Sequence, residues 1–166
     1  MTAMDTNYAR FEALEERLAH CYFILHERFN SDPQLATFWA EAAMDELQHS
    51  SLLKFCRERG IMTAAEIDSA TSERLRRMVD TVSSIVSNPE VTVEQAFYAS
   101  LLIESSEVDD VFAKLTQPLN KDHILLHQAI DASLRLHHLK FAEAAGKFLK
   151  DQACADSFRR LGESKS

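Results

Sequence analysis

The sequence predicts an all-α fold, a four-helix bundle with one long crossover segment and a short C-terminal helix, in a single domain over residues 1–166. Three observations lead there. The 166 residues include only three glycines and three prolines, against an average combined share near ~12%, and sheet proteins need such residues at their turns. Helix start and stop signals divide the chain into a few long segments. Within those segments apolar residues recur at alternating steps of three and four, the spacing of one helix face.

The first helix is expected from about Thr6 to Phe29, where Asn30-Ser31-Asp32-Pro33 interrupts it. Asp32 can cap the next helix and Pro33 suits its first position, because a proline there forfeits no hydrogen bond. That second helix runs to about Arg59 and stops at Gly60, a residue free to take the left-handed conformation that ends helices. Thr63-Ala64-Ala65-Glu66 reads as a capping box opening the crossover, which spans 61–91. Its stripe of Leu75, Met78, Val79, Val82, Ile85 and Val86 should pack on the outside of the bundle or on a second subunit. Asn88-Pro89 ends it. Thr92-Val93-Glu94-Gln95 is a second capping box, and the helix it opens should run unbroken to Gln117-Pro118. Asn120 can cap a fourth helix reaching Lys150, followed by a short polar helix from about 151 to 161.

Charge and cysteine content narrow the function classes. The net charge is −8 with histidines neutral, the wrong sign for nucleic acid or anionic membranes. Cys21, Cys56 and Cys154 are odd in number and widely separated, so neither a disulfide framework nor a Cys-x-x-Cys clip can be built. They read as small buried apolar residues in a reducing, cytoplasmic setting. No secretory leader or membrane span is expected.

Chemistry enters where charge interrupts the seams. The first seam reads Phe11, Glu15, Leu18, Tyr22, Leu25, Phe29, and the second Leu35, Phe38, Ala42, Glu46, His49, Leu53, Cys56. The third reads Phe97, Leu101, Glu104, Val108, Val111, Leu115. Each is broken by a mid-helix glutamate, with Glu15 preferred over Glu16 by helix phase. Three converging carboxylates repel and raise one another's pKa unless a cation neutralises them. In Glu46-Leu47-Gln48-His49 the carboxylate and imidazole differ by about 60° in azimuth, so both can reach one metal ion. Glu104-Ser105-Ser106-Glu107 places a further carboxylate at the same spacing. On the fourth helix His138 and His137 compete for the core-facing position, His138 being the narrow favourite. The aromatic residues Tyr22, Phe29, Phe38 and Trp39 read as packing.

A weak internal repeat reinforces the pattern. A shift of 89 residues sets Glu15 on Glu104, Phe23 on Phe112 and His49 on His138. With these residues, and with Leu14-Glu15 through Tyr22, the Asp32-Pro33 turn and Glu46-x-x-His49, the chain resembles the ferritin-like superfamily, and within it the rubrerythrin-related proteins. The resemblance covers the four long helices. It implies a non-haem di-iron centre that reacts with peroxide or dioxygen. Iron, as a pair or a single ion, is the expected metal, with manganese and zinc as alternatives. Its implied ligands are Glu15, Glu46, His49, Glu104, Glu107 and His138. The resemblance also implies a homodimer and, because no rubredoxin-type cysteine clip is present, an external electron-donor protein.

The family pattern needs a second Glu-x-x-His on the fourth helix, and the chain departs from it there. Arg135 stands three before His138, and Leu134 three before His137. An inward Arg135 would pair with a seam glutamate and limit the site to one metal or none, leaving the second half-site degenerate. Two other classes remain open, an iron-storage ferritin subunit and a structural or interaction bundle with a decayed metal site.

Overall fold

The computed structural model describes residues 3–61, 67–117 and 121–164. Among them the fold is all-helical, with seven α-helices: α1 (Ala3–Arg28), α2 (Pro33–Glu58), α3 (Ser69–Val86), α4 (Val93–Glu104), α5 (Glu107–Leu115), α6 (Ile124–Phe148) and α7 (Gln152–Ser164). A single 3-10 turn at Lys121–His123 leads into α6. No helix of the described residues is long and apolar enough to cross a membrane.

The punctuation follows the expected chemistry wherever it can be compared. Asp32 caps α2, its carboxylate accepting from the amides of Gln34 and Leu35, with Pro33 as the first helical residue. Gly60 ends α2 at a φ of 68°. Its amide bonds the Arg57 carbonyl while the Ile61 amide bonds that of Cys56, the paired 5→2 and 6→1 bonds of a Schellman motif. The capping box before α4 is complete, Thr92 accepting from the Gln95 amide and Gln95 from the Thr92 amide. The capping box at Thr63–Glu66 and the cap at Asn120 lie outside the described residues. α3 instead begins one residue after Asp68, whose side chain accepts from the Thr71 amide.

The third long helix is not continuous. It divides into α4 and α5 at Ser105-Ser106, where the Ser106 amide turns back to the Ile103 carbonyl in a three-residue step. The Ser106 hydroxyl donates to that same carbonyl. Serine side chains compete with the backbone for helical hydrogen bonds, and the Ser106 hydroxyl and amide do so here at the Ile103 carbonyl, where the helix is interrupted. Glu104 therefore closes α4 instead of sitting in mid-helix.

α1 and α2 pack as an antiparallel hairpin, α6 packs on α7, α2 and α4, and α3 lies on α1 and α4. The buried face of α3 is Leu75, Val79, Val82 and Val86, with Met78 and Ile85 half-buried at its edge. An aromatic layer crosses the centre of the core. Phe38 stacks on Phe97 with ring centroids 5.4 Å apart, and Phe141 meets Phe38 edge-on at 5.0 Å and Phe158 of α7 at 4.9 Å. Trp39 is fully buried against Tyr22, Phe97 and Phe141. Cys21, Cys56 and Cys154 are buried and free, and burial pushes all three thiols up.

Gly60 supplies a direct check on the α2 terminus. Nothing lies within 4 Å of the position a Cβ would take there, so Gly60→Ala carries only the cost of the left-handed conformation. The expected loss is about 1–2 kcal/mol in urea unfolding, with Gly60→Asn less costly. An unchanged midpoint for the alanine variant would mean that this turn does not hold the helix end.

Candidate metal centre

Four helices deliver acidic or imidazole side chains to one buried region. α1 contributes Glu15, α2 Glu46 and His49, α4 its last residue Glu104, and α6 both His137 and His138. All six are buried, His138 completely. Helix phase places Glu15 inward while Glu16 is exposed. The two adjacent histidines were expected to exclude each other from the core. Both are buried because α2, α4 and α7 all pack on α6.

The donor atoms fall into two triads that share Glu46. Glu15, Glu46 and His49 form one, and Glu46, Glu104 and His137 the other, with the donor atoms of each within 4.8 Å of one another. In the first, His49 Nδ1 lies 3.0 Å from Glu46 Oε2 and 3.9 Å from Glu15 Oε2. In the second, His137 Nε2 lies 3.3 Å from Glu104 Oε1 and 3.4 Å from Glu46 Oε1. Nitrogen and oxygen ligands bind a divalent cation such as zinc at ~2.0–2.2 Å, so a small inward movement of each triad suffices to enclose one. These buried Glu/His groups can hold a metal ion.

His137 supports that fit. Its Nδ1–H donates to Asp45 Oδ2 at 3.1 Å, which directs Nε2 towards Glu104 and Glu46. Nε2 is buried and makes no hydrogen bond to either carboxylate despite its proximity. A buried nitrogen facing two carboxylates without a bond needs a positive charge between them, supplied by a cation or by a proton. Asp45 is itself held by Lys140 Nζ at 2.8 and 3.0 Å. Carboxylate-to-imidazole support of this kind fixes the tautomer and orientation of a metal-binding histidine. On the opposite side the Tyr22 hydroxyl donates to Glu104 Oε1 at 2.7 Å.

His138 stands beside the second triad, with Nε2 3.6 Å from Glu104 Oε2. The internal repeat therefore needs adjustment, because the histidine that completes a triad as His49 does is His137, 88 residues on. Its aromatic pair also fails to correspond, Phe112 being buried and Phe23 about half exposed. The break at Ser105-Ser106 and the separate turn before α6 remove any reason for a strict 89-residue register. Glu107 opens α5, and its side chain lies outside the described residues. Arg135 is exposed on the outer face of α6 and forms no part of the cluster. The positive charge expected to compete with a cation is thus absent from the buried site. The position three before His137, where a second Glu-x-x-His would carry its acid, is occupied by the buried apolar side chain of Leu134.

Sequence reasoning treated Tyr22 as packing alone and passed over Asp45 and Lys140. Tyr22 does stack on Trp39, but its hydroxyl also serves Glu104. A signal for Asp45 was present in its position beside Glu46, though only the placement of α6 reveals that it meets His137 and Lys140. Of the other histidines, His20 is exposed, and His26, His123 and His127 are half-buried outside the cluster.

The electrostatics also correct an expectation. Burial tends to raise the Glu104 pKa, yet the His137 and His138 imidazoles hold this carboxyl well below its usual range. Burial tends to lower His137, but the charge of Glu104, the hydrogen bond to Asp45 and the charge of Glu46 lift it well above the ordinary imidazole value. Burial, then the charges of Glu104 and Glu46, push the Tyr22 phenol up, so it stays protonated. Mutual carboxylate repulsion does not govern Glu104, since two histidines stand among the acids.

Comparisons against protein-family models, curated proteins and solved structures return no match.

These directions set how His137 and Glu104 contribute to the pH response of the metal-free chain. His137 has a folded pKa above the ordinary 6.5, so its contribution to stability is complete below pH 6.5 and is lost as pH rises through the folded value. Glu104 has a folded pKa below the ordinary 4.5, so its contribution is complete above pH 4.5 and is lost as pH falls through the folded value. Chelator-treated protein should show a falling denaturation midpoint from pH 6.5 towards about pH 9, and His137→Gln should flatten that decline. A level or rising wild-type midpoint over this interval contradicts the assignment.

Proposed function

We propose that the chain is a ferritin-like helical bundle holding a non-haem dimetal centre, related in kind to rubrerythrin, with iron as the metal and peroxide or dioxygen as the oxidant it reduces. The observation that carries this reading is the pair of buried Glu/His triads sharing Glu46. Dimetal carboxylate bundles are built in this way, from glutamates and Glu-x-x-His units projecting inward from facing helices.

In this reading Glu15, Glu46 and His49 hold one ion, and Glu46, Glu104 and His137 the other. Iron held at these positions would supply the electrons for reducing the oxidant. The remaining functions belong to the chain. Asp45, anchored by Lys140, holds His137 in the tautomer that exposes its Nε2 lone pair. Tyr22 keeps its proton on the phenol oxygen and steadies Glu104 through a 2.7 Å bond. The aromatic layer excludes water from one side, and the Phe112 ring, 4.8 Å from that of His49, does so from another. An external electron donor completes the cycle, since Cys21, Cys56 and Cys154 are separate buried thiols.

Charge balance supports two ions. Glu15, Glu46 and Glu104 bring three negative charges against four positive from two divalent ions with neutral histidines. The single excess positive charge suits an anionic exogenous ligand. With Arg135 exposed, its side chain does not reduce that demand.

Metal analysis after loading with Fe(II) or Mn(II) tests the proposal. Wild type should bind two ions per chain, His49→Ala and His137→Ala one each, and Glu46→Ala none tightly. Asp45→Asn should weaken occupancy of the second position by about 10–100-fold, while Arg135→Glu changes nothing. Failure of wild type to bind metal would overturn the proposal in favour of a structural bundle in which a protonated His137 balances the acids.

A further inference from the structure

A second site lies between α1 and the start of α3, apart from the metal centre. Here Phe11, Ala13 and Leu14 line a cavity of about 480 Å³, with Arg10, Arg17 and Arg76 at its rim. Ser69, Ser72 and Glu73 from the first turns of α3 complete the lining. The Ser72 hydroxyl oxygen is buried and has no hydrogen-bond partner among the described residues. A helical serine ordinarily returns its hydroxyl to a carbonyl one turn back. A buried hydroxyl without a partner at a cavity wall is a donor awaiting an acceptor.

The three guanidinium groups are not equivalent. Arg76 is the most engaged, each of its three nitrogens donating once, to Glu73 at 2.8 and 2.9 Å and to Asp80 at 2.7 Å. Arg17 gives one amino group to Asp80 and retains further donors. Arg10 is exposed and makes no ion pair among the described residues. Three arginines and Glu73 line the cavity, and Asp80 and Arg77 pair with them from outside it, so the site carries net positive charge and suits an anion. The floor is apolar, so a fully hydrated inorganic ion gains nothing from it, whereas an amphiphilic ligand buries its body there.

We propose that this cavity binds a small monocarboxylate with an apolar body. Arg10, Arg17 and the Ser72 hydroxyl hold its carboxylate, and Phe11, Ala13 and Leu14 receive its chain. Asp80 acts as an internal competitor for one Arg17 amino group, while the other Arg17 donors stay open to the ligand.

Isothermal titration of the full chain with octanoate, octanamide and inorganic phosphate tests this site. Octanoate should bind saturably at one per chain, octanamide at least ten times more weakly, and phosphate should not displace octanoate. Arg10→Glu should weaken octanoate binding about tenfold or more, Ala13→Trp should block it by filling the cavity from an exposed position, and Asp80→Asn should strengthen it severalfold by releasing the Arg17 amino group it holds. Arg10 is exposed, so its variant reads binding without disturbing the core. The proposal is overturned by equal binding of octanoate and octanamide, by displacement of octanoate by phosphate, by octanoate binding that Arg10→Glu leaves unchanged, or by no saturable binding. None of these outcomes bears on the metal centre, whose ligands are separate side chains.

Discussion

Three carboxylates buried in the middle of a small helical protein set the terms for the rest of this structure. Glu15, Glu46 and Glu104 come from three different helices into a region with almost no solvent contact. Removing an isolated carboxylate from water is prohibitive unless positive charge accompanies it. Among the described residues the fold supplies His49, His137 and His138 as the basic groups beside them. Imidazoles meet the requirement in two ways, by taking a proton or by sharing a cation. Both depend on the same nitrogen, His137 Nε2, so proton and metal compete for it and metal affinity must fall in acid.

The surrounding architecture serves this constraint. Asp45 and Lys140 join α2 to α6 on the outer side of His137, so the imidazole cannot rotate without breaking a charged hydrogen-bond chain. The aromatic layer of Phe38, Trp39, Phe97 and Phe141 closes the core beside the cluster and packs without polar partners that would compete for the glutamates. At the far end of α1 the Tyr8 hydroxyl donates to the Leu115 carbonyl at the end of α5, tying the segment beyond the helix break back to the first helix. The interruption at Ser105-Ser106 places Glu104 at a helix terminus, where its carboxylate answers to Tyr22, His137 and His138 together.

Much of this was legible in the sequence because it depends on local rules. The caps at Asp32 and Thr92, the stop at Gly60 and the buried faces of the first two helices follow from side-chain chemistry and period alone. The inward phase of Glu15, Glu46, His49 and Glu104 follows from the same period. What escaped depends on relations between helices. Residues one apart on α6 differ by about 100° in azimuth, and sequence offers no means of knowing that both directions are covered. It therefore set His138 against His137, when both are buried. Arg135 raised concern only because of its spacing from His138, and the rotation of α6 sends it outward. The division of the third helix was written in adjacent serines, but such pairs also occur within intact helices, and their effect here depends on how α4 and α5 pack.

The claim on which everything else rests is that positive charge enters this cluster as metal, at two positions flanking Glu46. Anomalous scattering from crystals soaked in Fe(II) or Mn(II) tests it most directly. The account predicts two peaks about 3.5–4 Å apart, as in two-metal sites generally, one against Glu15 and His49 and one against Glu104 and His137, with Glu46 between them. A cluster without anomalous density, in which His137 keeps the same approach to Glu104 and Glu46, would contradict it.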